Sequence, residues 1–593
     1  MSKNQALDTK RHSLAHLMAA SIQEMFPEAK FGVGPVVEDG FFYDVHLSRP
    51  LTPEDLEKIE KRMREKVKQG LSFDRSELPM DDALRTFGGM QQNFKVELLN
   101  DLRTRGTTAV AEFGDASLAG GSVSEVSVYR TGTFTDLCRG PHVPTTKGID
   151  PESFKLTRVS GAYWRGNQER EQMQRVYGVA FDTKKELEEY FVRVDEAKKR
   201  DHRKLGRELG LFTFHQLAPG AAFWLPKGTT LYNILSSYMR EVLFPAGYVE
   251  VKTPLVYNKA LWERSGHWKH YRSNMFLIES EGEMMSMKPM NCPGHFLAYS
   301  SEIHSYRELP VRFHEQTPLH RNETSGVLSG LTRVRQFSQD DAHCFVTQDQ
   351  IGEEVGRLIG LIQRIYGDFG LSFSVKLSTR PDEFLGEVAT WDHAEAQLKT
   401  ALEKAGMPYT VNEKDGAFYG PKIDCDITDA IGRNWQCGTI QLDYQQPENF
   451  DLKYTGADNL EHRPVVIHRA IMGSFERFIA ILIEHFAGAF PVWLAPVQAA
   501  IIPIADRHAD YCNKVREVLY AAGMRVFIDS SGERMQAKIR NAQLQKIPYM
   551  LVAGDREAEN NAVSVRLRSG EDLKSKSLDE FIGMVKEAVA ARK

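Results

Sequence analysis

Three residues far apart in the chain carry the first hint of chemistry. Cys292 lies in KPMNCPGHF (288–296), His343 in QFSQDDAHCF and His468 in VVIHRAIMGS. One thiolate and two imidazoles make a zinc site with its fourth position free, the pattern of a working zinc rather than a structural one. No C-x-x-C and no second nearby ligand accompany Cys292, so a self-contained structural zinc motif is excluded. Asn-Cys-Pro-Gly itself reads as a turn. If residues 333–343 run as one extended strand, Arg333, Gln339, Asp341 and His343 share a face, which places a carboxylate beside an imidazole. Spacing alone leaves a second reading open, in which Cys292 is an ordinary small side chain and the two histidines are unrelated to it.

A second constellation lies near the start. HSLAH places His12 and His16 four apart on one helix face, and DLCRGPH places Cys138 and His142 four apart. By residue type this is a zinc cage. It lacks the glutamate of H-E-x-x-H, which excludes a metalloprotease. For nucleotides, G-x-x-x-x-G-K-[ST] is absent, as are the HIGH and KMSKS signatures, and KSKS at 574–577 reads as part of a polar loop.

The elements that must position these residues fall into distinct patterns. The chain has 593 residues, 42% apolar and 26% charged, with net charge −5 and six scattered cysteines. That is room for three or four domains and the cysteine usage of a reducing compartment. It neither demands nor excludes nucleic acid. No window has the uninterrupted apolar length of a membrane span, and the N-terminus lacks a signal peptide's apolar core. Helical spacing covers 12–26, 53–69 and 184–205, the last a solvated connector, and FGVGPVVEDGFFYDV reads as a hairpin. From about 211 to 490 the segments VRFHEQ, RVRQFSQDDAHCFV and GTIQLDY alternate like antiparallel strands, and RAIMGSFERFIAILIEHF reads as a buried helix. Residues 492–593 read as an α/β module with a mainly parallel sheet: strands AAIIPI, RVFID and YMLVAG, helices YCNKVREVLYAAG and MQAKIRNAQLQK.

HRNETSG (320–326), TRVRQFSQDDAH (332–343) and HRAIMGSFERFIAILIEHFAGAFPVWLAPVQ (468–498) resemble the threonyl-tRNA synthetases, class II aminoacyl-tRNA synthetases. WERSGHW (262–268), KPMNCPGH, FYGPKID, QCGTIQLDY, RHSLAH and DLCRGPHVP fit the same family in order, so the resemblance runs from about residue 11 to the end. It implies an α+β multidomain fold. An α+β editing domain at 1–181 is followed by a helical linker at 182–203, a class II antiparallel-sheet catalytic domain at 204–491 and an α/β anticodon-binding domain at 492–593. The sequence departs from the family in having only about ten residues before RHSLAH, where bacterial-type members carry a further small domain. It is also shorter than the common form between Lys95 and Asp136.

The resemblance implies that Cys292, His343 and His468 hold one zinc ion per subunit, which binds the amino acid. Threonine and valine are near-isosteres, and a steric pocket separates such pairs by only roughly a hundredfold. A Lewis-acidic zinc takes the amino group and the hydroxyl together, with Asp341 accepting the hydroxyl proton. By the family pattern Arg321 binds the α-phosphate of ATP, Glu323 accepts from the adenine amino group, Arg333 holds the γ-phosphate and Arg477 stacks on adenine, with Mg2+ bridging the phosphates. His267 resembles the residue assisting transfer to the tRNA hydroxyl. Gln339, Tyr419, Gln436 and Gln441 resemble pocket-wall contacts, and Cys437 packing.

In this family the N-terminal pocket hydrolyses misformed seryl-tRNA without metal, a second sieve that zinc cannot replace because serine keeps the hydroxyl. His12, Lys95, Asp136 and Cys138 then position water and ester, while Tyr43, His16 and His142 shape the pocket. GERMQAKIRNAQLQKIPYMLVAGDRE resembles the anticodon-binding segment. Its helix offers Lys538 and Arg540, with Glu533 and Arg540 as the expected contributors. The resemblance further implies a cytoplasmic homodimer, with GYVEVKTP (247–254) between subunits, acting on threonine, ATP and tRNA. Two rivals remain: a relative charging serine or proline, against which the Cys292 trio speaks, and a catalytically silent tRNA-binding paralogue, against which the four ATP-site residues speak.

Overall fold

A computed structural model describes residues 3–106, 123–167 and 169–592. The chain forms two compact units, Met1–Asp195 and Glu196–Lys593. The shortened stretch between Lys95 and Asp136 falls largely on residues 107–122, outside the described residues.

In the first unit the helix Lys3–Met25 buries Leu14, Leu17, Met18 and Ile22 against a sheet. The strand order there is Lys30–Phe31, Gly40–His46, Gln172–Ala180, Phe154–Tyr163. The Asp-Gly hairpin forms as read, Val36–Val37 pairing with Gly40–His46. The helix Pro53–Gln69 begins with a Thr52–Asp55 capping box and ends at Gly70, whose φ of 72° suits a residue without Cβ. A second sheet of Asp74–Pro79, Glu125–Thr131 and Phe134–Leu137 carries Asp136.

The connector expected over 184–205 is two helices, Lys184–Arg200 and His202–Glu208. Asp201 breaks them because its carboxylate accepts the Arg203 N–H and caps the second. The first helix buries only Leu187, in keeping with a solvated face.

The second unit is built on eight strands. Their order is Val249–Glu250, Val311–Glu315, Asp341–Val346, Val465–Ala470, Asn434–Asp443, Lys422–Thr428, Ser372–Ser378, Tyr409–Asn412. Only the outermost pair at each end is parallel. The register sets His343 opposite His468 and His468 opposite Gln441, so three side chains meet on neighbouring strands. The amphipathic helix Ile351–Asp368 and the apolar helix Phe475–His485 cover the back of this sheet.

Three expectations change here. Residues 333–343 are not one strand: Gln336–Ser338 and Asp341–Val346 are separated at Gln339–Asp340, where the Asp340 side chain accepts the N–H groups of Ile471 and Met472. Gln339, Asp341 and His343 still face together, but Arg333 does not join them. NCPGH is the first turn of the helix Cys292–Ser300 rather than a β-turn, because proline is accepted in a helix's first turn, where its missing N–H is not needed. Within RAIMGSFERFIAILIEHF the helix starts only at Phe475. Ser474 caps it by accepting the Arg477 N–H at 3.1 Å, and His468 lies in a strand.

The C-terminal sheet has Val526–Ile528, Ala499–Pro503 and Tyr549–Ala553 in parallel. Two antiparallel strands follow, Ala562–Leu567 and Asp572–Ser577, so KSKS sits in a strand and not in a loop. Among the described residues no helix is long and apolar enough to cross a membrane.

Candidate functional site

A cleft of about 470 Å³ opens on one face of the eight-stranded sheet. Cys292, His343 and His468 lie at its floor, each offering a donor atom within 4.8 Å of the others. The strand register supplies the two histidines, and the helix Cys292–Ser300 delivers the thiol. Burial, followed by the charges of Asp341 and Asp443, pushes the Cys292 thiol well up. Burial, followed by His468 and His295, holds His343 well below an ordinary histidine, so its ring is neutral. A neutral imidazole is the form that ligates, and a buried thiol becomes a thiolate only beside a cation. The donor set therefore fits zinc.

Arg321, Gln339, Asp341, Tyr419 and Gln441 line the same cleft. Asp341 is oriented by Asn291, whose amide donates to Oδ2 at 3.0 Å, and the Tyr419 hydroxyl donates to Gln441 Oε1 at 2.6 Å. Arg321 lies over the Phe337 ring with its Nε on the Pro289 carbonyl. Arg477 is pinned at its edges, Nε donating to Thr332 O and Nη1 to Gln436 O at 3.1 Å each. That leaves the guanidinium's flat faces free to stack. Glu323 and Arg333 bind each other, Nε to Oε2 at 3.0 Å, and Arg333 is half-exposed.

Glu323, Arg333 and Arg477 are not among the residues that line the cleft, and neither are Gln436 and His267. Gln436 is exposed and donates to Asp424 Oδ1 at 2.7 Å, an acceptor it shares with Thr439 because the register shift between Cys425 and Asp426 brings it onto the face of Thr439 and Gln441. His267 is fully buried, its Nε2 against Met290 Sδ at 3.2 Å and its Nδ1 on Ser265 Oγ at 2.8 Å. Met290, not His267, lines the cleft. Burial, with smaller contributions from His468 and Arg321, lowers His267 to about 4 and keeps it neutral.

Sequence reasoning passed over Tyr271, Met290, Lys422 and Thr439, which also line the cleft, and Asp443, whose Oδ2 meets His468 Nε2 at 2.8 Å. Asp443 was discoverable, since it lies two residues from Gln441 on one strand and so shares its face.

In the first unit the N-terminal constellation also assembles. His12, His16, Cys138 and His142 bring one donor atom each within 4.8 Å of the others. Cys138 Sγ lies 3.3 Å from His12 Nε2 and 3.4 Å from His142 Nε2, and accepts the Gly140 N–H at 3.2 Å. Below them Asp136 takes Lys95 Nζ at 2.6 Å, the Tyr43 hydroxyl and His16 Nε2 at 3.4 Å. Burial divides these seven residues into two sets. Lys95 and Asp136 are buried with Tyr43 and His16 as a base, whereas His12, Cys138 and His142 form the partly exposed rim. Burial raises Cys138 to about 12, so it is a thiol and not a nucleophilic thiolate, and burial drives His142 down to about 2.

On the C-terminal helix Met535–Leu544, Arg540 is exposed, and exposed Glu533 accepts the Asn541 amide at 2.7 Å. Lys538, expected to be offered to RNA, is buried with Nζ on Asp529 O at 3.0 Å.

The tRNA synthetase class II core domain (G, H, P, S and T) matches residues 276–486, the anticodon binding domain 498–588, and the threonyl and alanyl tRNA synthetase second additional domain 126–177. The threonine--tRNA ligase of Myxococcus xanthus (strain DK1622) is 51% identical over 99% of this chain and 89% of its own length. That of Clostridioides difficile (strain 630) is 48% identical over 98% and 88%.

The chain belongs to the threonine--tRNA ligase family.

Among solved structures, the RNA binding domain of threonyl-tRNA synthetase from Cryptosporidium parvum Iowa II covers 65% of this chain and 98% of its own, at 44% identity and a TM-score of 0.64. A threonyl-tRNA synthetase from Aeropyrum pernix, ThrRS-1, covers 66% at 27% identity and a TM-score of 0.59. The cleft trio, Arg321 and Arg477 all lie within the tRNA synthetase class II core match, and Asp136, Cys138 and His142 within the additional-domain match.

Proposed function

We propose that this chain activates threonine with ATP, transfers it to the 3′ end of its tRNA, and hydrolyses mischarged seryl-tRNA in the first unit. The observation that carries the reading is the meeting of Cys292, His343 and His468 in the cleft that also holds Arg321 and Asp341. Those three residues would hold a zinc ion. When bound, the ion supplies a Lewis acid that takes an amino group and a hydroxyl at once, a pair that valine does not possess.

The chain's own residues do the rest. Asp341, held by Asn291, accepts the hydroxyl proton of the amino acid. Tyr419 and Gln441, locked to each other, and Gln339 wall the pocket. Arg321 meets the α-phosphate, and the edge-pinned Arg477 offers a flat face to adenine. Glu323 and Arg333 exchange their mutual ion pair for the adenine amino group and the γ-phosphate. Mg2+ accompanies ATP, as phosphoryl chemistry in class II enzymes requires. His267, neutral, takes the tRNA hydroxyl proton once Met290 moves aside. Gln436, held by Asp424 beside the cleft-lining Thr439, contributes from there.

In the first unit the rim of His12, Cys138 and His142 places the ester and the attacking water over the Asp136–Lys95 base. No metal is needed, since Lys95 already supplies positive charge there. In the C-terminal module, exposed Arg540 and Glu533 contact the anticodon. The four-part division at 181, 203 and 491 belongs to the same reading. So does a cytoplasmic homodimer, which is supported by Phe244 standing 79% exposed just before GYVEV and Val249 52% exposed within it.

The deciding experiment is amino-acid-dependent ATP–pyrophosphate exchange with zinc measured on the same protein. Exchange with threonine, little with valine, and one zinc per chain are expected. Full zinc with no exchange overturns the reading in favour of a silent RNA binder, and two zinc ions per chain overturn metal-free editing.

A further inference from the structure

His295 takes no part in the cleft, yet it is fully buried three residues after Cys292, in a polar chain that ends on His343. Its Nδ1 lies 2.8 Å from His343 Nδ1 and its Nε2 lies 3.0 Å from Glu315 Oε2. Glu315 is itself saturated with donors. Lys288 Nζ reaches Oε1 at 3.0 Å, the Thr317 hydroxyl reaches it at 2.5 Å, and Thr253 gives its N–H to Oε1 at 2.8 Å and its hydroxyl to Oε2 at 2.9 Å. The side chains of Lys288, His295 and Glu315 are all 0% exposed.

The proton positions in this chain follow from what each group can do. A carboxylate paired with a lysine only accepts, so His295 Nε2 carries hydrogen and donates to it. The contact between the two Nδ1 atoms blocks His343 Nδ1, so His343 can ligate only through Nε2, and its proton must then sit on Nδ1 and be donated to His295 Nδ1. That leaves His343 Nε2 bare. On the other side of the cluster, Asp443 Oδ1 accepts the N–H groups of Gln445 and Gln446 at 2.9 Å each, and Oδ2 faces His468 Nε2 at 2.8 Å. His468 Nε2 therefore donates, and its Nδ1 is bare. The two imidazoles are fixed in opposite tautomers by two separate carboxylates.

We infer that His295 with Glu315, and Asp443, are positioning residues that set His343 Nε2 and His468 Nδ1 as the metal-facing nitrogens. This rests on the zinc reading above. An imidazole ligand whose second nitrogen is held by an anionic acceptor is better oriented and more basic, and loss of such a partner weakens metal binding by ~10- to 100-fold. What is unusual is that one carboxylate acts through an intervening imidazole, so Glu315 reaches the metal ligand across one ring.

The test is zinc affinity, measured on the full chain by competition with a chromophoric chelator. Melting of the zinc-free protein serves as the control for folding. Asp443→Asn is the sharpest variant. Its Oδ1 stays with the two backbone N–H groups, so its amide nitrogen must point at His468 Nε2 and drive the proton to Nδ1. Affinity is expected to fall ~10- to 100-fold with little change in apo melting. His295→Phe keeps the ring volume but offers His343 no acceptor, and should fall comparably. His295→Asn restores an acceptor near the Nδ1 position and should recover most of the loss. Cobalt-loaded Asp443→Asn and His295→Phe should also show altered visible absorption. Wild-type affinity in both Asp443→Asn and His295→Phe overturns the inference, and so does a His295→Asn variant as weak as His295→Phe. A wild-type chain that takes up no zinc overturns the zinc reading itself, a different result from equal binding by all.

Discussion

The cleft of the larger unit and the cluster of the smaller one are built from the same residue types, and they differ in what surrounds the sulfur. In the larger unit Cys292 and two histidines face an open wall bearing Asp341 and Arg321, and the cleft's Lys422 is held on Asp415 and Asp424. In the smaller unit Cys138 and three histidines sit above Asp136, which is already held by Lys95 and Tyr43. The first arrangement needs a cation to make its thiol a ligand. Burial pushes both thiols up, and the second arrangement already has an ammonium bound in its base. Composition of a cysteine–histidine cluster therefore does not by itself decide its chemistry; the neighbouring charge does.

The largest effect expected from breaking this contrast is on the cleft. Cys292→Ser should lose zinc and reduce threonine activation by more than about 100-fold, the upper end of what outlying metal-site changes cost. Seryl-tRNA hydrolysis, supplied with premade seryl-tRNA, should persist. Activation retained without zinc would show that the trio is only a packed cluster. The converse change, Cys138→Ala, should leave zinc content and activation intact while seryl-tRNA accumulates, with hydrolysis slowed by roughly 10- to 100-fold, the scale of one positioned proton-transfer or orienting group. Serine cleared at the normal rate in that variant would remove Cys138 from the editing rim.

Much of this was legible from residues alone, and the failures share a cause. The Asp-Gly hairpin, the Pro53–Gln69 helix and the C-terminal α/β pattern depend on local periodicity and turn chemistry, and they form as read. NCPGH was misread because proline and glycine signal a turn and a helix start equally well, and only the packing of Phe296 and Tyr299 into a core decides. Residues 333–343 were misread because alternation does not show that Asp340 turns away to cap the backbone of Ile471 and Met472. Gln436, five residues from Gln441, would face away from it in a regular strand, and the register shift that sets it beside Thr439 is one a period-two pattern cannot display. Lys538 looked like a phosphate contact until its carbonyl partner became visible. His295, Glu315 and Asp443 act through other residues, and such partners carry no motif of their own.

The smallest expected effect sharpens the comparison through protonation rather than ligands. His267 in the larger unit is held near 4, so the unfolded chain binds a proton there, at about 6.5, before the folded one does. The group's folded value is lowered; its contribution to stability is complete above about 6.5 and is lost progressively as pH falls toward 4. Between pH 7 and pH 6 this one histidine should cost the larger unit roughly 0.7 kcal/mol. His267→Gln should lessen the pH dependence of unfolding by that amount, whatever constant offset the substitution adds. Hydrogen exchange followed separately in the strands Val465–Ala470 and Gln172–Ala180 reads the two units independently. The change should be confined to the first of these strands. In the smaller unit His142, also driven down by burial, keeps its own acid sensitivity in that variant. An unchanged slope in Val465–Ala470 would mean that His267 gains a proton in the fold as readily as outside it, and that its burial against Met290 does not hold the ring neutral.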